Sequence, residues 1–298
     1  MFRTVIAFLA AAALSMAAQS NETIPLWPNG APGPKNTTGT EHDTTTAQDN
    51  LVAGRQVIRT GDVATPTLTL YPAPARNNSG AAVLVFPGGG YRILAYDLEG
   101  TEICEMLNRL GVTAVLVKYR VPQPAGMPRY SEPFQDAQRA IGMVRLHAKE
   151  WSIDPARVGV LGFSAGGHLS AVLGTHEDKR TYDEIDDADR QSAHPNFVIL
   201  IYPAYLSVED KAAEVAPEVQ PGSQTPPTFI VQAESDKSFI GGTLLYYRAL
   251  QLAQVPAEMH LYTAGGHGYG LRPTADPITG WPTLLEAWMR YQKVLTSK

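Results

Sequence analysis

A serine flanked by glycines stands between an apolar run and a helix-forming segment, and it constrains the fold more than any other feature. The stretch reads VGVLGFSAGGHLSAVLG, from Val158 to Gly174. Gly162 and Gly166 permit a sharp turn from strand to helix, which lifts the hydroxyl of Ser164 above the end of the strand. The amide of Ala165 then lies at a helix N-terminus, where it can donate to an oxyanion. Ser164 is therefore a candidate nucleophile, although glycine and serine also form ordinary turns.

Apolar runs alternate with helical periodicity along most of the chain. Strands are predicted near residues 81–86, 112–120, 157–163, 196–203, 227–234 and 257–262, and helices near 101–110, 132–151, 164–174, 241–253 and 281–295. This alternation predicts an α/β fold with a mostly parallel central sheet and helices on both faces. In the part of the chain before residue 81, LVAGRQVIRT and TPTLTLYPAP are predicted to be two strands joined by a turn at Gly61 and Asp62.

A serine hydroxyl needs a base, and seven histidines are available. His267 in AGGHGYG is favoured because it follows the last predicted strand in a glycine-rich loop. His168 lies one helical turn after Ser164, so a packing role is expected for it. The other five histidines lie in different settings: His42, His147, His176, His194 and His260.

The base in turn needs an acid that holds its tautomer. Asp236, just after the strand predicted over 227–234, has a suitable position, and Glu234 and Asp210 compete with it. The order Ser164, Asp236, His267 is the order found in α/β-hydrolases.

A run of three glycines, in FPGGGYR, follows the strand at 81–86. In esterases of this fold a glycine-rich loop at this position supplies a second oxyanion donor. The alternative, a phosphate-binding loop, is disfavoured because the run has neither the P-loop lysine nor the G-x-G-x-x-G spacing. The amides of Gly89 and Gly90, together with Ala165, are the predicted oxyanion hole.

These motifs resemble those of α/β-hydrolase esterases of the acetylxylan and feruloyl esterase type. The matching pieces include IPLWPNGAPG, LVFPGGGY, LEG, RVGVLGFSAGGHL and VPAEMHLYTAGGHGYGLR, in order from about residue 24 to 290. The resemblance implies Ser164 as nucleophile, Asp236 as acid, His267 as base, and oxyanion amides within 88–90 and at Ala165. It implies hydrolysis of short acyl esters on carbohydrates, without a metal or an organic cofactor. The residues around Asp236 depart from the usual pattern, which leaves substrate preference open.

Four aromatic residues are candidates for stacking on sugar faces, with ordinary packing as the alternative: Tyr91, Tyr205, Tyr269 and Trp281. Tyr91 and Trp281 are taken as the candidate substrate contacts.

The N-terminus has the features of an export signal. Arg3 precedes an apolar region, Val5 to Ala17, and small residues follow. The region is too short to span a bilayer comfortably, which disfavours a membrane anchor. We predict a signal peptide at 1–20, an irregular lead-in at 21–50 and an α/β-hydrolase domain at 51–298, in a periplasmic or secreted protein.

Composition excludes several classes of function. The net charge is −5 and no basic run occurs, which argues against nucleic-acid binding. Cys104 is the only cysteine, so no internal disulfide is possible, and we expect it to be buried packing. The acidic segment at 177–189 has no recognisable calcium-ligand spacing, and a solvated loop is favoured.

Two other functions stay open. A serine exopeptidase of the prolyl oligopeptidase type uses the same three groups, although such enzymes usually carry a large additional N-terminal domain. A binding protein on this fold would need no catalytic groups. The partner predicted here is an ester substrate, either a small molecule or an oligosaccharide or polysaccharide.

Overall fold

The computed structural model describes residues 21–34, 37–176, 179–208 and 211–295, so the predicted signal peptide lies outside it. The strands are β1 (Glu22–Pro25), β2 (His42–Asp43), β3 (Arg59–Gly61), β4 (Thr67–Tyr71), β5 (Ala82–Phe86), β6 (Leu94–Ala95), β7 (Thr113–Lys118), β8 (Val158–Phe163), β9 (Val198–Ile201), β10 (Ser207–Val208), β11 (Lys211–Val215), β12 (Thr228–Ala233) and β13 (Ala257–Tyr262). The α-helices are α1 (Glu102–Arg109), α2 (Ser131–Leu146), α3 (Ser164–Thr175), α4 (Ile240–Leu252) and α5 (Trp281–Tyr291).

The central sheet has eight strands in the order β1-β4-β7-β5-β8-β9-β12-β13. The six strands β7, β5, β8, β9, β12 and β13 are parallel to one another, whereas β4 is antiparallel to both β1 and β7. The predicted mostly parallel sheet is therefore confirmed.

Alternate residues of the central strands face two separate cores. On β5, Leu84 and Phe86 pack into the core that contains residues of α2, α3 and α4. Val83 and Val85 pack into the core that contains residues of α1 and α5. Strands buried on both faces read as continuous apolar runs, which explains the lack of alternation in the sequence. Helices cover both faces, as predicted.

The predicted division at residue 50 does not match the packing of the N-terminal segment. β1 pairs with β4 as the outermost strand of the central sheet. Trp27 is buried, and its Nε1–H donates to Asp136 on α2 at 2.8 Å. The expectation of an irregular lead-in is therefore wrong for residues 22–25, which form β1.

The two strands predicted around Gly61 do not pair with each other. β3 lies in a separate three-stranded sheet with β2 and β6, whereas β4 joins the central sheet. The burial of Leu68 and Leu70 on β4 accounts for its place in the central sheet.

Cys104 is fully buried on α1, as expected, and burial raises the pKa of its thiol well above the ordinary value. Within the described segments, no helix combines the length and apolarity that a membrane span requires.

Candidate active site

The parallel strands bring the sequence-predicted groups to one edge of the sheet. β5 ends at Phe86, just before the glycine loop 88–90, and β8 ends immediately before Ser164. β12 ends three residues before Asp236, and β13 ends five residues before His267. Because the carboxyl ends of parallel strands lie at the same edge, groups that are distant in sequence meet there.

The turn at Ser164 is strained and tightly packed. Ser164 has φ +50°, a left-handed conformation that costs a non-glycine residue about 1–2 kcal/mol. A Cβ on Gly162 would lie 1.9 Å from the carbonyl oxygen of Gly166, and one on Gly166 would lie 2.0 Å from that of Phe86. Both glycines are therefore required by close backbone approach, and the turn holds the serine hydroxyl at the strand end.

Ser164, His267 and Asp236 form a hydrogen-bonded series. The Oγ of Ser164 lies 2.8 Å from Nε2 of His267, and Nδ1 of His267 lies 2.7 Å from Oδ2 of Asp236. The carboxylate only accepts, so Nδ1 carries the proton and Nε2 is free to accept from the hydroxyl. Asp236 is buried, whereas the side chain of His267 is 31% exposed and faces the cleft.

The competing candidates have other partners or lie outside the described residues. Glu234 forms a surface ion pair with Lys237, and Asp210 is outside the described residues. His168 is fully buried, with Nδ1 2.8 Å from the hydroxyl of Tyr91. The remaining histidines, all of them described, bind elsewhere: His42, His147, His176, His194 and His260.

The predicted oxyanion amides lie beside the serine. Gly89 and Gly90 line the same cleft as Ser164. Within the described chain their amides donate no hydrogen bond. The amide of Ala165 belongs to the first turn of α3, where backbone N–H groups have no partner inside the helix. Gly88 differs, because its amide donates to the carboxylate of Glu99 at 2.6 Å.

A cleft of about 350 Å³ opens over Ser164 and His267. Its apolar side chains are Val52, Val57, Ile93, Ala95 and Leu98, and Asn50 and Arg59 add polar groups. The walls therefore suit a ligand that is partly apolar and partly hydrogen-bonding.

The two aromatic residues chosen as substrate contacts do not reach this cleft. Tyr91 is fully buried and bonded to His168. Trp281 is fully buried, and its Nε1–H donates to the carbonyl of Gly270 at 3.0 Å. Their prediction as sugar-stacking residues is wrong, because both rings fill the core. Tyr269 is likewise buried, and Tyr205 is half-buried beneath the guanidinium of Arg129, 4.2 Å from the ring centre.

The described part of the acidic segment is held by arginines. Arg139 contacts Asp186 at 2.5 Å and Asp189 at 3.0 Å. Among the described residues, no group of three or more His, Cys, Asp or Glu side chains is arranged to hold a metal ion.

Sequence reasoning assigned no role to Glu99, a buried carboxylate on a π-helical turn, Asp97–Thr101. Glu99 lines the cleft. Burial raises the pKa of its carboxyl group, although hydrogen bonds from Tyr202 and Gly88 act in the opposite direction. The piece LEG was the only signal in the sequence that pointed to it.

Known proteins resemble this chain in sequence and in structure. Residues 68–202 match the family described as BD-FAE. The solved structure of an acetyl ester-xyloside bifunctional hydrolase from Caldicellulosiruptor lactoaceticus is 31% identical, with a TM-score of 0.71. That likeness covers 92% of this chain and 97% of the other. The chain belongs to the α/β-hydrolase esterases.

Two curated relatives match this chain over only part of their own length. An acetylxylan esterase from Xylanibacter ruminicola is 31% identical over 218 residues, 65% of this chain and 42% of the relative. The endo-1,4-beta-xylanase B of Butyrivibrio fibrisolvens is 28% identical over 221 residues, 67% of this chain and 34% of the relative. The matched region thus spans less than half of each curated relative.

Proposed function

We propose that this chain is a serine carboxylesterase that hydrolyses acetyl-type esters on carbohydrates through an acyl-enzyme. One observation carries the proposal. The series Ser164–His267–Asp236, at 2.8 and 2.7 Å, lies in the cleft that Gly89 and Gly90 also line. A nucleophile, a base, an orienting acid and oxyanion donors are the parts that acyl transfer needs.

The first half-reaction acylates the serine. Oγ of Ser164 attacks the ester carbonyl carbon while its proton passes to Nε2 of His267, and Asp236 stabilises the imidazolium. The carbonyl oxygen becomes an oxyanion and accepts from the amides of Ala165 and of the glycine loop. The bond to the alcohol oxygen then breaks, and His267 gives its proton to the departing alcohol.

The second half-reaction releases the acid. Water gives a proton to Nε2 of His267 as its oxygen bonds to the acyl carbon. The bond to Oγ breaks, and the proton returns to Ser164. Loss of one oxyanion donor typically costs about 3 kcal/mol of transition-state stabilisation, so the loop amides contribute to the rate in addition to the base.

The substrate class rests on the cleft and on the relatives. A cleft of about 350 Å³ is near the lower end of small-molecule sites, about 300–1,000 Å³, which favours short acyl groups. The names of two relatives refer to acetyl esters, one of xylan and one in combination with a xyloside. We therefore propose acetylated xylo-oligosaccharides or similar sugars as substrates.

The test is an ester panel on wild type, Ser164→Ala and Ser170→Ala. Ser170 lies on the same helix and donates to the carbonyl of Gly166, outside the proposed chemistry. We expect acetyl release by wild type and Ser170→Ala, and a loss of at least a thousandfold in Ser164→Ala, with acetyl preferred over longer acyl and feruloyl groups.

Turnover of no ester by the folded wild type would overturn the proposal. Cleavage of dipeptidyl substrates alone would favour the exopeptidase alternative. Carbohydrate binding without turnover would favour a binding protein.

We also propose export, because a positive residue, an apolar region and small residues occur in that order at 1–20. Mass spectrometry of the N-terminus of the exported chain tests this. Intact residues 1–20, or retention in the cytoplasm, would contradict it.

A further inference from the structure

The glycine loop is fixed to the rest of the site by one buried carboxylate. Glu99 is only 4% exposed, and each of its oxygens accepts one hydrogen bond. Oε2 accepts from the amide of Gly88 at 2.6 Å, and Oε1 accepts from the hydroxyl of Tyr202 at 2.9 Å. Burying a carboxylate is costly unless donors satisfy it, and both oxygens of Glu99 have such donors.

The first of these bonds sets the orientation of the glycine loop. The peptide between Pro87 and Gly88 is held on both sides, because the hydroxyl of Tyr119 donates to the carbonyl of Pro87 at 2.5 Å. The next carbonyl, that of Gly88, accepts from the amide of Ala95 at 2.9 Å. Because these groups already have hydrogen-bond partners, the amides of Gly89 and Gly90 are the ones that can face the cleft.

Close packing makes the loop dependent on that orientation. A Cβ on Gly88 would lie 2.8 Å from Cβ of Ser164 and 2.7 Å from the carbonyl oxygen of Phe163. The loop therefore rests directly on the turn that carries the serine. A rotation of the Gly88 peptide would move the amides of Gly89 and Gly90 relative to Oγ.

The second bond connects Glu99 to the histidine loop. The hydroxyl of Tyr202 donates to Glu99 and accepts from the amide of Gly270 at 3.2 Å. The ring of Tyr202 also packs edge-on against His267, with 5.0 Å between ring centres. One carboxylate thus connects the loop that carries the oxyanion amides with the loop that carries the base.

We propose that Glu99 is a positioning residue, which as a carboxylate holds the oxyanion amides and the His267 loop in the geometry of the transition state. This inference rests on the proposed esterase function. Ionisation matters because Gly88 and Tyr202 both donate. A glutamine offers one oxygen and one NH₂ group, so it can accept from only one of them.

The test compares Glu99→Gln, Glu99→Ala and Tyr202→Phe with Glu132→Gln. Glu132 is a matched control, because it is also a buried carboxylate, paired with Arg120 at 3.5 Å away from the cleft, and burial likewise raises its pKa. We measure kcat and KM for p-nitrophenyl acetate. We also measure the inhibition constant of a trifluoromethyl ketone, whose tetrahedral adduct occupies the oxyanion hole.

The expected effect is on the transition state rather than on substrate binding. We expect kcat to fall about tenfold in Glu99→Gln and about a hundredfold in Glu99→Ala, below the loss for removing an oxyanion donor outright. KM should stay within about twofold. The ketone should bind more weakly by the same factor as the fall in kcat/KM, since both report transition-state affinity. Glu132→Gln should keep wild-type kcat and wild-type affinity for the ketone.

Several outcomes would overturn the inference. A kcat within twofold of wild type in folded Glu99→Gln would do so, as would a rise in KM alone. If Glu99→Ala does not fold, Glu99→Gln and Tyr202→Phe decide, and Tyr202→Phe should lose kcat severalfold with unchanged KM. Normal turnover by the Glu99 variants, beside an inactive Ser164→Ala, would overturn this inference alone. A wild type without esterase activity would overturn the proposed function as well.

Discussion

Gly89 and Gly90 are neighbours in the same loop but differ in what a side chain would meet. Gly89 has φ +133°, and a Cβ there would lie 2.1 Å from the carbonyl oxygen of Ile93. Gly90 has φ +64°, and the nearest atom to its Cβ would be the hydroxyl oxygen of Tyr205 at 3.5 Å. The first position excludes any side chain, whereas the second tolerates alanine at a cost of about 1–2 kcal/mol.

This contrast gives a matched pair of variants. Gly89→Ala must displace the loop and should lower kcat by about a hundredfold or more, because oxyanion amides move away from the reacting carbonyl. Gly90→Ala keeps its amide and should lose less than about tenfold. The measurement is kcat for p-nitrophenyl acetate, with thermal melting to show that both variants fold. Equal losses would contradict the prediction.

Ser164 and His267, whose positions beside each other were predicted, were identified from local sequence patterns. Ser164 and His267 lie in glycine-rich turns after apolar runs, so their neighbours in sequence revealed them. Glu99 has no such signal, because its partners are 11 and 103 residues away in the chain. Tyr91 and Trp281 were misassigned because the sequence does not show whether an aromatic ring faces the cleft or the core.

Strand β1 and the turn after it attach the N-terminal segment to the sheet and to α2. Trp27 makes the buried contact, through its hydrogen bond to Asp136 and an edge-on contact with Tyr182 at 4.8 Å between ring centres. Asp136 also accepts from Arg120, so the bond from Trp27 belongs to a buried charged network.

Replacement of Trp27 should therefore weaken the fold without altering the chemistry. Trp27→Phe removes a hydrogen bond to a buried carboxylate, and the free energy of unfolding should fall by about 1.5–3 kcal/mol. The control is Trp151→Phe, where a half-buried indole stacks on His147. There we expect a loss below about 1 kcal/mol. Urea unfolding of both variants checks this, and equal losses would refute it.

Apolar runs predicted the central strands, but they did not predict every pairing partner. A run such as Ala82–Phe86 is long and fully apolar, so a place in the middle of the sheet follows from burial alone. The short β3 carries no such signal. Its partners β2 and β6 are two-residue strands, whose pairing depends on contacts that no local pattern encodes.

Charge pairs between distant segments add a pH-dependent contribution to stability. The side chain of Asp189 is fully buried and receives hydrogen bonds from Tyr182 at 2.6 Å and from the amide of Ile185 at 3.0 Å, beside Arg139. Burial alone would raise the pKa of Asp189, but these hydrogen bonds and the charge of Arg139 hold it below the ordinary value.

The sign of the pH effect follows from that lowered pKa. The stabilisation by the Asp189 carboxylate is complete above the ordinary aspartate pKa and is lost as pH falls through the lower folded value. Asp189→Asn should cost about 1–3 kcal/mol at pH 7, because the donors Tyr182 and Ile185 lose a charged acceptor and Arg139 keeps only Asp186 as its ion-pair partner. The difference from wild type should narrow as the pH falls below the ordinary aspartate pKa of about 4.

Urea unfolding at several pH values measures that difference. Asp183→Asn is the control, since Asp183 is exposed in the same segment. Its effect should be below about 1 kcal/mol at every pH. A gap between Asp189→Asn and wild type that stays constant with pH would contradict the assignment.

The cleft is lined by two different parts of the chain. The proposed catalytic groups follow strands of the central sheet, whereas Asn50, Val52, Val57 and Arg59 lie in a segment outside that sheet. Substitutions in this segment can change the shape of the cleft without replacing any of the proposed catalytic groups. Substrate specificity could therefore be changed, in evolution or by engineering, through a stretch of chain that holds none of the proposed catalytic groups.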